Sequence, residues 1–386
     1  MLCDKKDCLS CHACYASCPK DAISMHEDEL GKYVPVIDPD TCVHCGLCEK
    51  ACPQLQILSR RKPMQCFAGY TTDETDRIRC ASGGFAAAIE RAAFNKNGIV
   101  YGAVFAQKQF RFSAHTDAAS LEALRGSKYV FSSPEKTYSA VRKDLNDGIP
   151  CVFIGLPCQV AGLRAFLGKE YDGLATVDLI CHGAPPFKYL EEHIAELGFS
   201  AAYDTVTFRG EKNFYFTVKD AEGRVLYSKK QQEDVYFEAF MSGLIHRDCC
   251  YSCPFAAEER VSDITIGDFW GLGKDALKGY AGRISCALLN TEKGKAFFRE
   301  AAEGLILEER PVSEAVAGND QLRAPSKPHP SRDLFEDAYR RFGFSGAMKK
   351  TGMAKRVKLL RAKNVLLWVP RRIKRAIRNA RQKSEL

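Results

Sequence analysis

Two copies of one cysteine run constrain this chain more than any other feature. Cys8-x2-Cys11-x2-Cys14-x3-Cys18-Pro19 recurs 34 residues later as Cys42-x2-Cys45-x2-Cys48-x3-Cys52-Pro53. Three thiolates at that spacing grip three irons of a cubane, and the fourth Cys of each run ligates the other cluster. The pattern predicts one 4Fe–4S cluster on Cys8, Cys11, Cys14 and Cys52, and a second on Cys42, Cys45, Cys48 and Cys18. Zinc asks for four ligands in two C-x2-C pairs, not eight in a doubled run.

The first 56 residues resemble a bacterial-type two-cluster ferredoxin. Cys3 falls outside the runs and reads as a spare thiol. The chain has 18 cysteines, yet it opens Met1-Leu2-Cys3-Asp4-Lys5-Lys6 with no apolar signal region, and no apolar run is long enough to span a bilayer. These features predict reduced, mostly metal-bound thiols in a cytoplasmic protein. With 386 residues, 46% of them hydrophobic, the chain has material for two or three packed domains. The net charge of +8 misleads, because residues 347–386 hold 14 Lys and Arg against one acid. That tail carries +13 and the remainder −5, so the body offers no basic groove for nucleic acid.

A basic, Pro-containing stretch over 57–65 marks a linker. Beyond it the pattern turns to strands and helices. Strands are predicted at 99–105, 151–155, 175–180, 263–266 and 284–290, with antiparallel strands across 203–229. Helices are predicted at 85–91, 134–145, 158–167 and 292–303. Strand–helix–strand over 151–180 reads as a parallel βαβ unit. The fold class is α+β or α/β: a small two-cluster domain (1–56), a linker (57–65), a larger mixed α/β domain (66–345) and a basic helical tail (346–386).

Nine cysteines follow the ferredoxin-like domain. Cys158 sits just past a strand end, where α/β folds place ligands. Cys181 closes the next strand, and Cys250-x2-Cys253 forms a short loop. If the two strands are parallel neighbours, these four thiolates suffice for a third cluster; otherwise they are small buried apolar residues. Ser82-Gly83-Gly84 opens a helix, whose N-terminus suits an anion, though an ordinary N-cap explains it equally. Arg125-Gly126-Ser127-Lys128 puts two cations around a glycine, and Gly155 ends a strand. No G-x-G-x-x-G follows a strand, so a standard dinucleotide site is not indicated.

Ser82-Gly83-Gly84, Arg125-Gly126-Ser127-Lys128-Tyr129-Val130, Gly155-Leu156-Pro157-Cys158-Gln159, Asp178-Leu179-Ile180-Cys181-His182-Gly183, Cys250-x2-Cys253 and Gly267-Asp268-Phe269-Trp270-Gly271 occur in that order. Together they resemble the coenzyme F420 hydrogenase/dehydrogenase beta-subunit family over about residues 66–310. The resemblance implies a flavoprotein, usually with FAD, held near Ser82, Gly83, Gly84, Arg125, Ser127, Lys128 and Gly155. It also implies a third 4Fe–4S cluster on Cys158, Cys181, Cys250 and Cys253. Clusters pass single electrons, and a flavin joins them to a two-electron substrate. The fused ferredoxin resembles the subset found with surface-polysaccharide genes. Coenzyme F420 itself comes with the family's name and with none of these residues.

The expected function is an iron–sulfur flavoprotein oxidoreductase with an unassigned two-electron substrate and no assigned catalytic residue. The alternative is a non-catalytic subunit relaying electrons to a partner enzyme. Either way the partner is an electron donor or acceptor protein, or a redox coenzyme. In the tail, cations alternate with apolar residues such as Val357, Leu359 and Leu360, and Pro370 breaks the run. It reads as an amphipathic segment on an anionic surface at the inner membrane face, or as a helix docked on the acidic body.

Overall fold

The computed structural model describes residues 2–210 and 214–364. The ferredoxin-like module carries a hairpin of β1 (Ile23–Glu27) and β2 (Tyr33–Ile37). Its two cysteine runs repeat in conformation as well as in sequence. The residues flanking the second Cys of each run are all left-handed: Ser10 (φ 55) and His12 (φ 62) in the first, His44 (φ 52) and Gly46 (φ 71) in the second. A short helix follows each, Ala13–Ser17 and Leu47–Lys50. Three of the four left-handed residues are not glycine, and each costs on the order of 1–2 kcal/mol. The same strain at a 34-residue offset marks loops shaped to wrap a bound group.

The body is built on β3 (Gln65–Thr71), β4 (Ile99–Ala106), β5 (Gln109–His115), β6 (Cys151–Gly155) and β7 (Leu174–Leu179). Next come β8 (Thr205–Arg209), β9 (Phe214–Lys219), β10 (Val225–Lys230), β11 (Ile264–Asp268), β12 (Ser285–Leu289) and β13 (Leu305–Arg310). Eight of these form one sheet, ordered β13-β3-β12-β11-β7-β6-β4-β5. Its centre, β4, β6, β7 and β11, is parallel, and the flanking pairs are antiparallel. All five residues of β6 are buried, as expected of a parallel strand covered on both faces. The helices Phe85–Asn95 and Glu292–Ala301 cover one face with Phe85, Ile89 and Phe298.

The other face is covered by the helices Thr137–Asn146 and Pro157–Leu167 together with the ferredoxin-like module. Leu9, Cys11, Ala13 and Ala51 share a core with Tyr138, Phe153, Val160 and Leu163. The module is therefore embedded, not tethered. The linker is held too: Arg61 and Arg260 exchange backbone bonds of 2.9 Å, Met64 donates to Leu289 O, and β3 begins at Gln65.

Between β7 and β11 the chain leaves the sheet to build an aromatic core. This core joins β8–β10 to the helices Phe187–Glu196, Val235–Met241 and Arg332–Lys350. Tyr189, Phe208, Phe216, Tyr236 and Phe335 are fully enclosed there.

Several sequence expectations differ in detail. The helix expected from 134 begins at Thr137, because Pro134–Lys136 close a turn (Thr137 N–H to Pro134 O, 2.9 Å). Strands β3 and β13 and the helix Arg332–Lys350 carry no periodic signal strong enough to announce them. The helix Arg332–Lys350 kinks at Gly343 (φ 65, ψ −171), three residues before the expected boundary at 346, yet the chain beyond it stays packed on the body. Ala347, Met348, Met353 and Val357 are buried in the aromatic core, and residues 353–364 are helical. Arg356 pairs with Glu238 (2.9 Å) and Arg361 donates to Glu233 O (2.5 Å). This stretch docks on the acidic body, since its apolar side finds a core and its cations find acceptors. The membrane reading then falls on residues 365–386, outside the described residues. Among the described residues no helix is long and apolar enough to cross a membrane.

Gly162 is where the module and the body interlock. A Cβ there would lie 2.9 Å from the Cβ of Cys11 and 2.9 Å from the Tyr138 hydroxyl. That hydroxyl is pinned by its bond to Gln159 O at 2.9 Å. Gly→Ala inside a helix ordinarily stabilises by about 1 kcal/mol. Gly162→Ala is expected to do the opposite: to lower the thermal midpoint of anaerobically purified protein and speed iron loss. A raised midpoint would contradict this packing.

Candidate redox site

The first eight predicted ligands separate into an inner and an outer set. Cys8, Cys11, Cys14 and Cys52 are buried and line one small cavity, and they are the four that the crossed pattern assigns to one cluster. Cys18, Cys42 and Cys48 are half-buried and Cys45 is exposed. Backbone N–H groups point at the sulfurs, for example Ala22 N–H to Cys18 Sγ at 3.3 Å, as cluster-ligating thiolates require. Among the described residues no three metal-ligating side chains close on a single ion. Cys3 proves to stand at the inner set, its thiol against Cys8 and Cys52.

The second thiol group depends on strand order. β6 and β7 are parallel neighbours, with Gly155 opposite Asp178. Cys158, in the first turn of the helix Pro157–Leu167, and Cys181, just past β7, therefore emerge side by side. Cys250 ends up near both, on the helix Asp248–Tyr251, with Cys253 just beyond it. Burial pushes the Cys158 thiol up to about 12, against the pull of the Arg247 guanidinium. The Gly183 N–H reaches Cys181 Sγ at 3.4 Å. Cys249 is hydrogen-bonded to Cys250 and is the fifth thiol here. Of the remaining cysteines, Cys66, Cys151 and Cys286 are buried in the core as small apolar residues, and Cys80 lines a cavity.

That cavity, of about 500 Å³, opens at the C-terminal ends of β6, β7 and β11. Its size suits a cofactor or a drug-sized ligand. Ser82, Gly84, Arg125, Ser127, Lys128 and Gly155 line it, and so does Cys181 from the thiol group. Gly83 does not; it is wedged where a Cβ would meet Gly69 O at 2.4 Å and Ser285 N at 2.7 Å. The helix Phe85–Asn95 starts at the cavity wall with Gly84 (φ 96) as N-cap and no side-chain cap. The Ser82 hydroxyl is turned away to Ile284 O (3.1 Å). The helix's first amides thus remain for an anion.

The two predicted cations are already engaged. Arg125 is paired with Asp76 and Glu122. Lys128 donates to the carbonyls of Ala123, Leu124 and Arg125 at 2.7–3.2 Å, closing the short helix Leu121–Leu124. Their spacing reads as a phosphate clamp, but in the structure they brace the wall. Sequence reasoning gave no role to Arg209, which lines the cavity and reaches Asp268 (2.6 Å) and the Tyr129 hydroxyl (3.0 Å). Phe214 and Trp270 line the cavity beside it, and Trp270 is half exposed. Only proximity in the fold marks Arg209; Asp268 and Trp270 stand in a motif visible in the sequence.

Residues 150–315 match the family described as the C terminus of the coenzyme F420 hydrogenase/dehydrogenase beta subunit, and residues 7–55 match a 4Fe–4S dicluster domain. Residues 150–315 belong to that family. One subunit of the F(420)H(2) dehydrogenase of Methanosarcina mazei is 24% identical over 320 residues, covering 79% of this chain and 85% of the relative. One subunit of the Na(+)-translocating ferredoxin:NAD(+) oxidoreductase complex of Acetobacterium woodii is 47% identical over 47 residues, 12% of this chain and 13% of the relative. A structure of the F420-reducing [NiFe] hydrogenase complex from Methanosarcina barkeri covers 76% of this chain and 94% of that one. The two share 19% identity, with a TM-score of 0.45. Over residues 7–55 and 150–315 the chain is thus similar to iron–sulfur proteins of the F420 hydrogenase/dehydrogenase beta-subunit type.

Glu90 lines the same cavity, and burial raises its carboxyl to about 7. The fold thus favours the protonated form. Its contribution is complete below the ordinary value of 4.5 and is lost as pH rises through about 7. The loss is on the order of 3 kcal/mol. Glu90→Gln is expected to flatten that dependence: thermal midpoints at about pH 5 and about pH 7.5 should differ less in the variant than in the parent. Equal differences in both would rule out this role for Glu90.

Proposed function

We propose that the chain is an iron–sulfur flavoprotein oxidoreductase. In this reading Cys158, Cys181, Cys250 and Cys253 hold a third 4Fe–4S cluster, and FAD occupies the cavity beside them. The observation that carries it is Cys181, which belongs to the body thiol group and also lines the 500 Å³ cavity. The uncapped helix at Gly84 suits a phosphate, and the aromatic wall of Phe214 and Trp270 suits a planar ring. A flavin there joins one-electron carriers to a two-electron substrate.

The chain's own residues supply the order. The outer thiols lie at the surface, the inner thiols are buried against the body, and the body thiols adjoin the cavity. Arg209 and Asp268 offer a fixed ion pair at the cavity wall. The engaged state of Arg125 and Lys128 makes backbone amides, not these cations, the phosphate donors. No lining residue favours a surface-glycan precursor over a deazaflavin such as coenzyme F420, and the substrate class is set only as a two-electron acceptor or donor.

A second reading, that the chain also serves as a subunit relaying electrons to or from a protein partner, is favoured by one surface. Val43 and Leu47, next to Cys42 and Cys48 in the outer run, are exposed, and so are Leu55 and Ile57 just beyond it, Ile57 completely. Apolar exposure beside an exposed electron carrier suits a docked redox protein.

Anaerobic purification followed by iron, sulfide and flavin analysis tests the first reading. It expects about twelve irons, four per cubane, and one flavin per chain. Cys158→Ser should reduce this to about eight irons and leave the ferredoxin-type clusters in place. Eight irons and no flavin in the parent protein would overturn it.

A further inference from the structure

Arg247 is buried, only 3% exposed, at the junction of the two domains. Its Nε donates to Ala184 O (3.1 Å), in the loop that follows Cys181. Its Nη1 donates to Leu9 O (2.7 Å), between Cys8 and Cys11 of the ferredoxin-like module. The guanidinium stacks 3.8 Å from the Phe131 ring centroid. One side chain therefore ties the loop of the inner thiols to the loop of the body thiols, across 238 residues of sequence.

Its charge has no ordinary partner. Guanidinium stays protonated in a protein, and an unpaired buried charge is very costly. The other deeply buried arginines meet carboxylates: Arg260 lies 3.1 Å from Asp178, and Arg332 lies 2.9 Å from Asp248 and 2.7 Å from Glu336. Among the described residues no carboxylate lies within ion-pair distance of Arg247, and the titratable neighbours that favour its charge are thiols: Cys249, Cys250, Cys158 and Cys181 on the body side. It also acts on Cys8 on the module side. A cubane with four thiolates is a net anion, more so when reduced. Such anions on both sides would supply the missing countercharge.

We propose that Arg247 is a positioning residue shared by two clusters, holding the inner ferredoxin loop and the body loop at fixed separation and raising the reduction potential of both. The inference rests on the third-cluster reading above. Lys32, 3% exposed, is a second buried cation at this junction, its Nζ held by Lys5 O and Lys6 O. It acts on Cys8 on the module side and on Cys249 on the body side, so neither side is left without positive charge when Arg247 is lost.

The test is an EPR-monitored redox titration of the anaerobically purified full chain, parent, Arg247→Gln and Arg247→Lys, each with its iron content measured. Arg247→Gln with full iron should lower the reduction equilibrium of both the body cluster and the inner cluster on the order of tenfold, about 59 mV for one electron. Arg247→Lys should restore both. Full iron with unmoved potentials in Arg247→Gln overturns the inference while leaving three clusters standing. If Arg247→Gln loses iron, full iron with parental potentials in Arg247→Lys supports the charge role. Equal loss in both variants overturns it. Eight irons in the parent protein overturns the third-cluster reading, and this inference with it.

Discussion

The pairing of β6 with β7 is the contact on which the rest of this site depends. Because the two strands run parallel and adjacent, with Gly155 opposite Asp178, their ends deliver Cys158 and Cys181 to one place. The parallel arrangement also leaves a crevice above the C-terminal ends of β6, β7 and β11, and the 500 Å³ cavity fills it. An antiparallel pairing would have sent the two cysteines to opposite edges of the sheet. Thiol group and cavity share a wall because both are consequences of the same strand order.

The ferredoxin-like module is fixed to that arrangement by close packing and one buried cation. Gly162 lets the helix that carries Cys158 approach Cys11 until no room for a Cβ remains. Arg247 then bonds across the contact to Leu9 O. Interiors at crystal-like density transmit position with little slack, so the inner thiols are registered against the body thiols. A flexible linker would not achieve this, and the stretch 57–65 is bound along the body at Arg61 and Met64.

Much of the redox machinery was legible in the sequence, for a local reason. A C-x2-C-x2-C-x3-C run specifies a loop by spacing alone, and the left-handed residues at Ser10, His12, His44 and Gly46 show the spacing realised twice. The central strands were equally legible as short apolar runs. Arg125 and Lys128 were not: a sequence shows two cations flanking a glycine, but not that Asp76, Glu122 and three carbonyls already occupy them. The segment 346–364 left two readings open for a related reason. Its cations dominate the composition, whereas Met353 and Val357 decide its place by burying themselves.

By itself, then, the amino-acid order determined a two-cluster module, a βαβ body and the family to which residues 150–315 belong. These follow from interactions between residues a few positions apart, where spacing is geometry. Tertiary structure alone decided that Cys158, Cys181 and Cys250 become neighbours and that Arg209 and the Gly84 helix line one cavity. It also decided that Arg247 finds thiols where Arg260 finds a carboxylate. Those contacts join positions up to 238 residues apart. Such separations are closed only by the packing of the whole sheet, which no local pattern encodes.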